Sequence, residues 1–344
     1  MDPRQPNPDL YGVPFQTDEY QGMPYRPLGG SGLKASAIGL GTWKFGYPDT
    51  GDGARSDEET SLAILDRAAE VGMTFWDTAN RYNAASGNSE RIIGTWFERN
   101  PGRRRDIVLA TKIFGGMDGT TPNHSGLSRL QIIEGVKACL ARLGIESIDL
   151  LWFHGFDDAV PIEESLETIE DLVSQDLVRY LGVSNFTAAN LESYLRVSST
   201  LSRRTRPVAV QNRYDPLTGA DHDGVLELCA AERISFVPYS PLARGLLTDR
   251  YLDPAKVGKG DRLFDEGVKV TADQRATVTK VAELAKGWGH SVSQLTLAYL
   301  LTMPGMGIQI PSSSTPEQVD ANAEAGKIEL SDEQVAELKD VFGH

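Results

Sequence analysis

The sequence predicts an α/β protein: a (β/α)₈ TIM barrel with an N-terminal β-hairpin and a C-terminal extra helix. Three observations carry that expectation. Eight apolar runs of strand length recur along the chain: AIGLG, MTFWDT, DIVLATK, IDLLWFH, RYLGVS, PVAVQ, ISFVPYS and MGIQIP. They are nearly continuous rather than alternating, as parallel strands buried on both faces are. Helical periodicities lie between them with no mid-chain linker, the alternation of one α/β domain. Finally, polar residues close successive runs: Asp77, Lys112 and His154 stand 35 and 42 residues apart. One barrel unit takes roughly 30 residues, from ~250 shared over eight units. A parallel barrel turns every C-terminal strand end toward one face, so these side chains converge there. A doubly wound sheet is the competing architecture, but eight parallel strands exceed what its usual orders require.

The elements follow in order. Residues 1–22 read as an irregular arm (Pro3, Pro6, Pro8, Pro14) and 23–344 as one domain. In YRPLGGSGLKASAIGLG the turn-forming GGSG separates two short extended stretches, a hairpin pattern. Ser56 and Glu59 form a capping box before ETSLAILDRAAEVG. Pro161 sits in the first turn of IEESLETIEDLV, whose acidic residues suit the positive end of the helix dipole. NSERIIGTWFERN, LQIIEGVKACLARLG, TAANLESYLRVSS, GVLELCAAER, ADQRATVTKVAELAKGW and TPEQVDANAEA are the other helices, and SDEQVAELKDVF closes the chain. Residues 115–127 and 244–270 are the longest strand-to-helix connections. Loops of that length are usually functional, and on a barrel both stand at the active-site face.

Composition narrows the function. The 344 residues are 40% hydrophobic and 24% charged, ordinary values for a globular protein. A net charge of -14 repels phosphate backbones, so nucleic acid is not an expected partner. No 18 consecutive residues are apolar, so no membrane span is expected. MDPRQPNPDLYGVPF lacks the apolar region of a signal peptide, which makes the cytoplasm the expected location. Cys139 and Cys229 lie in helical runs and read as small buried hydrophobes rather than a disulfide. No histidine pair has metal-ligand spacing, and no G-x-S-x-G element is present. GLGTWK lacks the third glycine of a dinucleotide fingerprint.

Tyr82 lies five residues beyond Asp77. With Lys112 and His154 these make a proton-transfer set of acid, phenol, amine and imidazole. An unperturbed tyrosine, with a pKa of about 10, is a poor proton donor near neutrality. Lys112 favours the phenolate and lowers that pKa. Asp77 holds the lysine charged, and His154 offers a hydrogen bond to a substrate carbonyl oxygen.

Further motifs stand beside this set: GLGTWKFG, FWDTANRY with GNSERIIG, LATK, DLLWFH, GVSNF, VPYSPLARGLLT and IPSSSTPEQVDAN. In that order and combination the chain resembles the aldo-keto reductases from about residue 24 onward. The resemblance implies hydride transfer between a nicotinamide dinucleotide and a small carbonyl or alcohol, without a metal. Tyr82 would be the general acid/base, Lys112 and Asp77 its tuners, and His154 the orienting donor. It also implies that Ser184, Asn185 and Gln211 bind the carboxamide of the cofactor and that Tyr239 stacks on its ring. Other cofactor contacts are implied at Gly41, Thr42 and Trp43, at Ser240, Leu242, Arg244 and Gly245, and at Pro311, Ser312, Ser313, Ser314, Gln318 and Asn322. Trp43 and Phe45 would line the substrate mouth.

Members that prefer NADPH usually place basic residues after the eighth strand, against the 2′-phosphate. Here Ser312 and Gln318 stand in those places, and Lys327 is the one cation of the stretch. Hydroxyls alone lack the charge-assisted bonds that hold a dianion best, and Glu317 and Asp320 add negative charge. NADH used comparably to NADPH, or better, is therefore expected, although three serines and a helix N-terminus can also hold a phosphate. Asn83 replaces the usual glycine after the tyrosine, and Gly155 removes a bulky pocket wall. Competing functions are a cofactor-binding regulatory subunit of the potassium-channel β-subunit type and an aldolase using Lys112 as a Schiff base. Nothing in the chain specifies an oligomeric state.

Overall fold

The computed structural model describes residues 5–6, 8–12, 17–50, 54–117, 119–219 and 224–343. The hairpin forms as expected and gains a strand: β1 (Glu19–Tyr20) pairs antiparallel with β2 (Met23–Pro27), which pairs with β3 (Lys34–Ser36). Glu19 and Tyr20, expected in the irregular arm, thus belong to this sheet. Pro8–Tyr11 forms one helical turn. Pro3, Pro14 and the rest of residues 1–4, 7 and 13–16 lie outside the described residues.

Seven of the eight apolar runs become one parallel sheet. These strands are β4 (Leu40–Gly41), β5 (Phe75–Asp77), β6 (Val108–Ile113), β7 (Ile148–Phe153), β8 (Val178–Ser184), β9 (Ala209–Gln211) and β10 (Ser235–Phe236), paired in chain order. The eighth run, MGIQIP, closes the sheet through single bridges rather than a strand of its own. Met306 bridges Phe236, Gln309 bridges Ile38 and Ser312 bridges Gly41. Gly39 N donates to Gln309 O at 2.7 Å and Gln309 N to Ala37 O at 2.9 Å. The ladder loses one bond at Pro311, which has no N–H to give, and resumes where Gly41 N donates to Pro311 O at 3.1 Å.

Phe75, Ala110, Leu150, Trp152, Ala209, Val237, Ile308 and Ile310 fill the barrel, joined by Leu28 and Ala35 of the hairpin. The Trp152 indole reaches so close to Gly182 that a Cβ there would lie 2.3 Å from it. Arg26 fixes the hairpin by donating to Gly307 O and Leu301 O, at 2.9 and 2.8 Å. A larger apolar cluster packs the outer strand faces against the helices, with Trp76 and Trp96 edge to face at 4.6 Å.

Most helices match their expected spans. The first cap differs: Asp57, not Ser56, caps Glu58–Glu70 by accepting from Thr60 N at 2.9 Å. Ser56 is engaged one residue earlier, its N–H bonded to Lys44 O and its carbonyl to Gly46 N. Pro161 is the cap residue of Ile162–Ser174 rather than part of its first turn. Val292–Thr302 is a helix that periodicity did not reveal, because seven of its residues are buried and no polar face marks it. No helix among the described residues is long and apolar enough to cross a membrane. Cys139 and Cys229 are buried free thiols.

The long connection after β10 is an ordered strap. It contains turns at Asp249–Leu252 and Pro254–Lys256 and a short helix at Arg262–Asp265. Leu246, Leu247, Tyr251 and Leu263 anchor it on Val278, Val281, Leu295, Tyr299 and Leu338.

Candidate active site

Strand alternation positions the site. Successive side chains of a strand point to opposite faces, so a residue two beyond an interior one also points inward. Phe75, Ala110, Trp152, Ala209, Val237 and Ile310 are interior. Two residues past each stand Asp77, Lys112, His154, Gln211, Tyr239 and Ser312, where the packed interior gives way to a cleft. Asp77 pairs opposite Ala110, so the lysine starts one pleat farther out, and its long stem spans the difference.

At the cleft floor Lys112 Nζ donates to Asp77 Oδ2 at 2.5 Å, Thr78 O at 2.7 Å and Tyr82 Oη at 2.9 Å. These contacts use all three donors of an ammonium. Burial opposes the Lys112 charge, but Asp77 and Tyr82 together outweigh it and its pKa is raised. Gln211 Nε2 donates to the other oxygen of Asp77 at 2.9 Å, so both carboxylate oxygens are held.

Tyr82 corrects one expectation. Lys112 does favour its phenolate, but burial works harder the other way, and the Tyr82 pKa is raised rather than lowered. The hydroxyl is thus held as a neutral phenol. Because Lys112 donates to its oxygen, the phenolic proton is left for another acceptor. The His154 ring stands edge-on to Tyr82 with centroids 6.5 Å apart. Burial, with the charges of Lys112 and Arg81 adding, pushes the imidazole down to about 3. It is neutral near pH 7, with one ring nitrogen a donor.

The cleft, ≈ 1030 Å³, extends from Asp77, Tyr82 and His154 along Ser184, Asn185, Gln211 and Tyr239. It continues past Ser240, Leu242, Arg244 and Gly245 to Pro311, Ser312, Ser314, Gln318 and Asn322, with Gly41 and Trp43 on the facing wall. Asn185 Nδ2 donates to His154 O at 2.8 Å and to Ser184 Oγ at 3.2 Å, and its Oδ1 accepts from Tyr239 Oη at 3.0 Å. Thr42 and Ser313 lie behind the wall, fully buried. Thr42 Oγ1 is bonded to Asp77 O, and Ser313 Oγ accepts from Asn322. Phe45, expected at the mouth, is a core residue with no exposure. Gly155 does not line the cleft, and a Cβ there would sit in ordinary contact, 3.7 Å, with Phe114.

Of the two long loops, only the strap lines the cleft, through Thr248–Tyr251 and Gly260–Arg262. Residues 115–117 and 119–127 do not, although Gly116 O accepts from Arg81 beside Tyr82 at 2.7 Å.

The far end of the cleft also differs from expectation. Ser312 and Gln318 supply no charge there, and Gln318 Oε1 is taken by Ser314 N at 2.8 Å. Lys327 pairs with Glu324 at 2.7 Å and does not line the cleft. Yet that end is not cation-free, because Lys44, Arg55 and Arg262 line it from two distant segments. The Arg262 guanidinium lies 4.2 Å from the centre of the Trp43 ring. Asp320 is engaged by Arg67 at 2.6 Å. The one sequence signal for these cations was the lysine directly following the GLGTW motif.

A deep proton-transfer group, a row of amide and hydroxyl groups, and a cationic far end fit a nicotinamide dinucleotide. Residues 37–342 match the family model described as the Aldo/keto reductase family. A putative voltage-gated potassium channel subunit beta of Schizosaccharomyces pombe is 34% identical over 328 residues, 92% of this chain and 91% of that protein. The aldo-keto reductase AMT2 of Alternaria alternata is 31% identical over 346 residues, 92% of this chain and 91% of that protein. The aldo-keto reductase yakc of Schizosaccharomyces pombe, whose name gives NADP(+), is 32% identical over 296 residues, 83% of each chain.

Proposed function

The chain belongs to the Aldo/keto reductase family, and we propose that Tyr82, Lys112, Asp77 and His154 carry its chemistry. It is an NAD(P)(H)-dependent oxidoreductase acting on carbonyl and alcohol groups of small molecules. The observation that carries the residue assignment is Lys112 Nζ, in contact with both Asp77 and Tyr82 Oη at the cleft floor.

The bound nicotinamide supplies the hydride in reduction and accepts it in oxidation. In reduction Tyr82 gives its proton to the carbonyl oxygen as that oxygen gains charge. Lys112, fixed by Asp77 and Thr78 O, then stabilises the phenolate through its remaining N–H. Neutral His154 donates a hydrogen bond to the same substrate oxygen and sets its direction. In oxidation the phenolate takes the proton back. Ser184 Oγ and the side-chain oxygen Oε1 of Gln211 would hold the cofactor carboxamide, while Asn185 braces the Tyr239 ring.

Both NADH and NADPH are used in this reading. Neutral Ser312 and Gln318 favour NADH, and cations from outside that stretch offset them. We further assign residues 23–344 to one catalytic domain, with β1 attached to its hairpin, and place the protein in the cytoplasm, in keeping with its two free thiols.

A panel of aldehydes, ketones, sugars and alcohols, assayed in both directions with both cofactors by nicotinamide absorbance, tests the reading. Wild type turns over at least one member, while Tyr82→Phe binds cofactor and does not turn over. The relatives named as potassium channel subunits support a second reading, a regulatory subunit. Cofactor binding without turnover across the whole panel would favour it over catalysis.

A further inference from the structure

Lys44 is a cation in search of an anion. Its stem lies at the cleft wall and Nζ donates to Ser314 Oγ at 3.0 Å. No carboxylate among the described residues pairs with it. Its cationic neighbours are balanced within the protein: Arg55 by Asp265 at 3.1 Å and Arg262 by Glu266 at 2.8 Å. Burial, with the charges of Arg262 and Arg55 adding, pushes Lys44 down to about 8. A half-buried ammonium without a counter-ion is costly, and two of its three donors remain for a ligand.

What surrounds the ammonium suits a phosphate. Ser314 belongs to the serine run after the eighth strand segment, where the hydroxyls of Ser312 and Ser314 also face the cleft. The helix Pro316–Ala325 begins there, capped by Thr315, with its positive end toward the same space. Of the two acidic residues that would oppose an anion here, Asp320 is occupied by Arg67, and Glu317, in the first turn, does not line the cleft.

We propose that Lys44 binds the 2′-phosphate of NADPH, supplying from the loop after β4 the charge that the chain lacks at Ser312 and Gln318. The proposal rests on the cofactor-binding reading above. It makes Lys44 a specificity-determining residue: NADPH gains a charge-assisted bond that NADH cannot form, and both cofactors keep the remaining contacts.

The test is equilibrium binding of NADPH and NADH to wild type, Lys44→Met and Lys44→Arg, followed by quenching of tryptophan fluorescence. Loss of a charged hydrogen bond weakens NADPH binding to Lys44→Met by ~10- to 100-fold, leaves NADH within about twofold, and is partly rescued in Lys44→Arg. Thermal unfolding without cofactor is the folding control. Removing a half-buried, uncompensated charge leaves the apo protein as stable as wild type or more so, while the stabilisation by added NADPH shrinks. Equal weakening of both cofactors would overturn the assignment and move Lys44 to the shared diphosphate. Unchanged binding of both would overturn it altogether. Failure of wild type to bind either cofactor would instead sink the reading beneath it.

Discussion

At the scale of single residues, the Asp77–Lys112 pair decides what the site can do. Both side chains are almost wholly buried, at 3% and 1% exposure, so neither charge has water to fall back on. Removing one partner of such a pair strands the other, at a cost of about 3–5 kcal/mol. Asp77→Ala is therefore expected to lower the unfolding free energy by that order in urea titration as well as to abolish turnover; a stability loss below about 1 kcal/mol would count against the coupling. Tyr82→Phe keeps the packing and removes the proton, so kcat falls at least ~10²-fold while cofactor affinity holds. His154 gives a pH signature. Its ordinary pKa is 6.5 and burial holds it near 3 in the folded protein. Between those values the unfolded chain binds a proton there and the folded protein does not, so stability is lost as pH falls through that window. His154→Phe should flatten that part of the stability–pH curve, and an unchanged slope in acid titration would show that other groups carry it.

Among the elements, the loop after β5 holds Tyr82 in place. Asn83, Ala84 and Ala85 have φ of 61°, 55° and 59°, a left-handed turn that costs non-glycine residues roughly 1–2 kcal/mol each. Asn83 offsets this with a clamp. Its Oδ1 accepts from Tyr47 N at 3.1 Å and Asn88 Nδ2 at 2.7 Å, and its Nδ2 donates to Thr50 Oγ1 at 2.8 Å. The substitution of Asn for glycine thus ties this loop to the loop after β4. Asn83→Ala should cost about 1–3 kcal/mol and raise KM through a looser Tyr82, measured by thermal unfolding and steady-state kinetics. The shared direction of Asp77, Lys112 and His154 was legible in the sequence because strand alternation forces it: once DIVLATK is a buried parallel strand, Lys112 must face where Ala110 faces. The helix Val292–Thr302 was not legible, because an element apolar on every side has no period to detect. The cap at Asp57 was missed because Ser56 was committed to a tertiary bridge with Phe45, which local chemistry does not reveal.

For the molecule as a whole, the seam between first and eighth segments closes the barrel through single bridges at Ile38–Gln309 and Gly41–Ser312. A Cβ on Gly41 would meet Ile310 O at 2.8 Å and Ser312 Oγ at 3.0 Å, so Gly41→Ala must prise the seam apart. A loss of about 1–3 kcal/mol with weakened binding of both cofactors is expected in thermal unfolding and fluorescence titration; wild-type behaviour in both would show that the seam yields without strain. The far end of the cleft was the part the sequence concealed. Lys44, Arg55 and Arg262 come together only because the strap doubles back over Trp43. The 2′-phosphate question, argued from the stretch 310–327 alone, therefore lacked the residues that bear on it.

The hairpin that plugs the opposite end of the barrel has a kinetic corollary. With Leu28 and Ala35 packed into the interior, the described residues close that end, so both ligands would share one doorway. The strap crosses that doorway, tied to the facing wall by Arg55–Asp265. A long cofactor held beneath such a bar is expected to enter before the smaller reactant and leave after it, an order that product-inhibition kinetics checks.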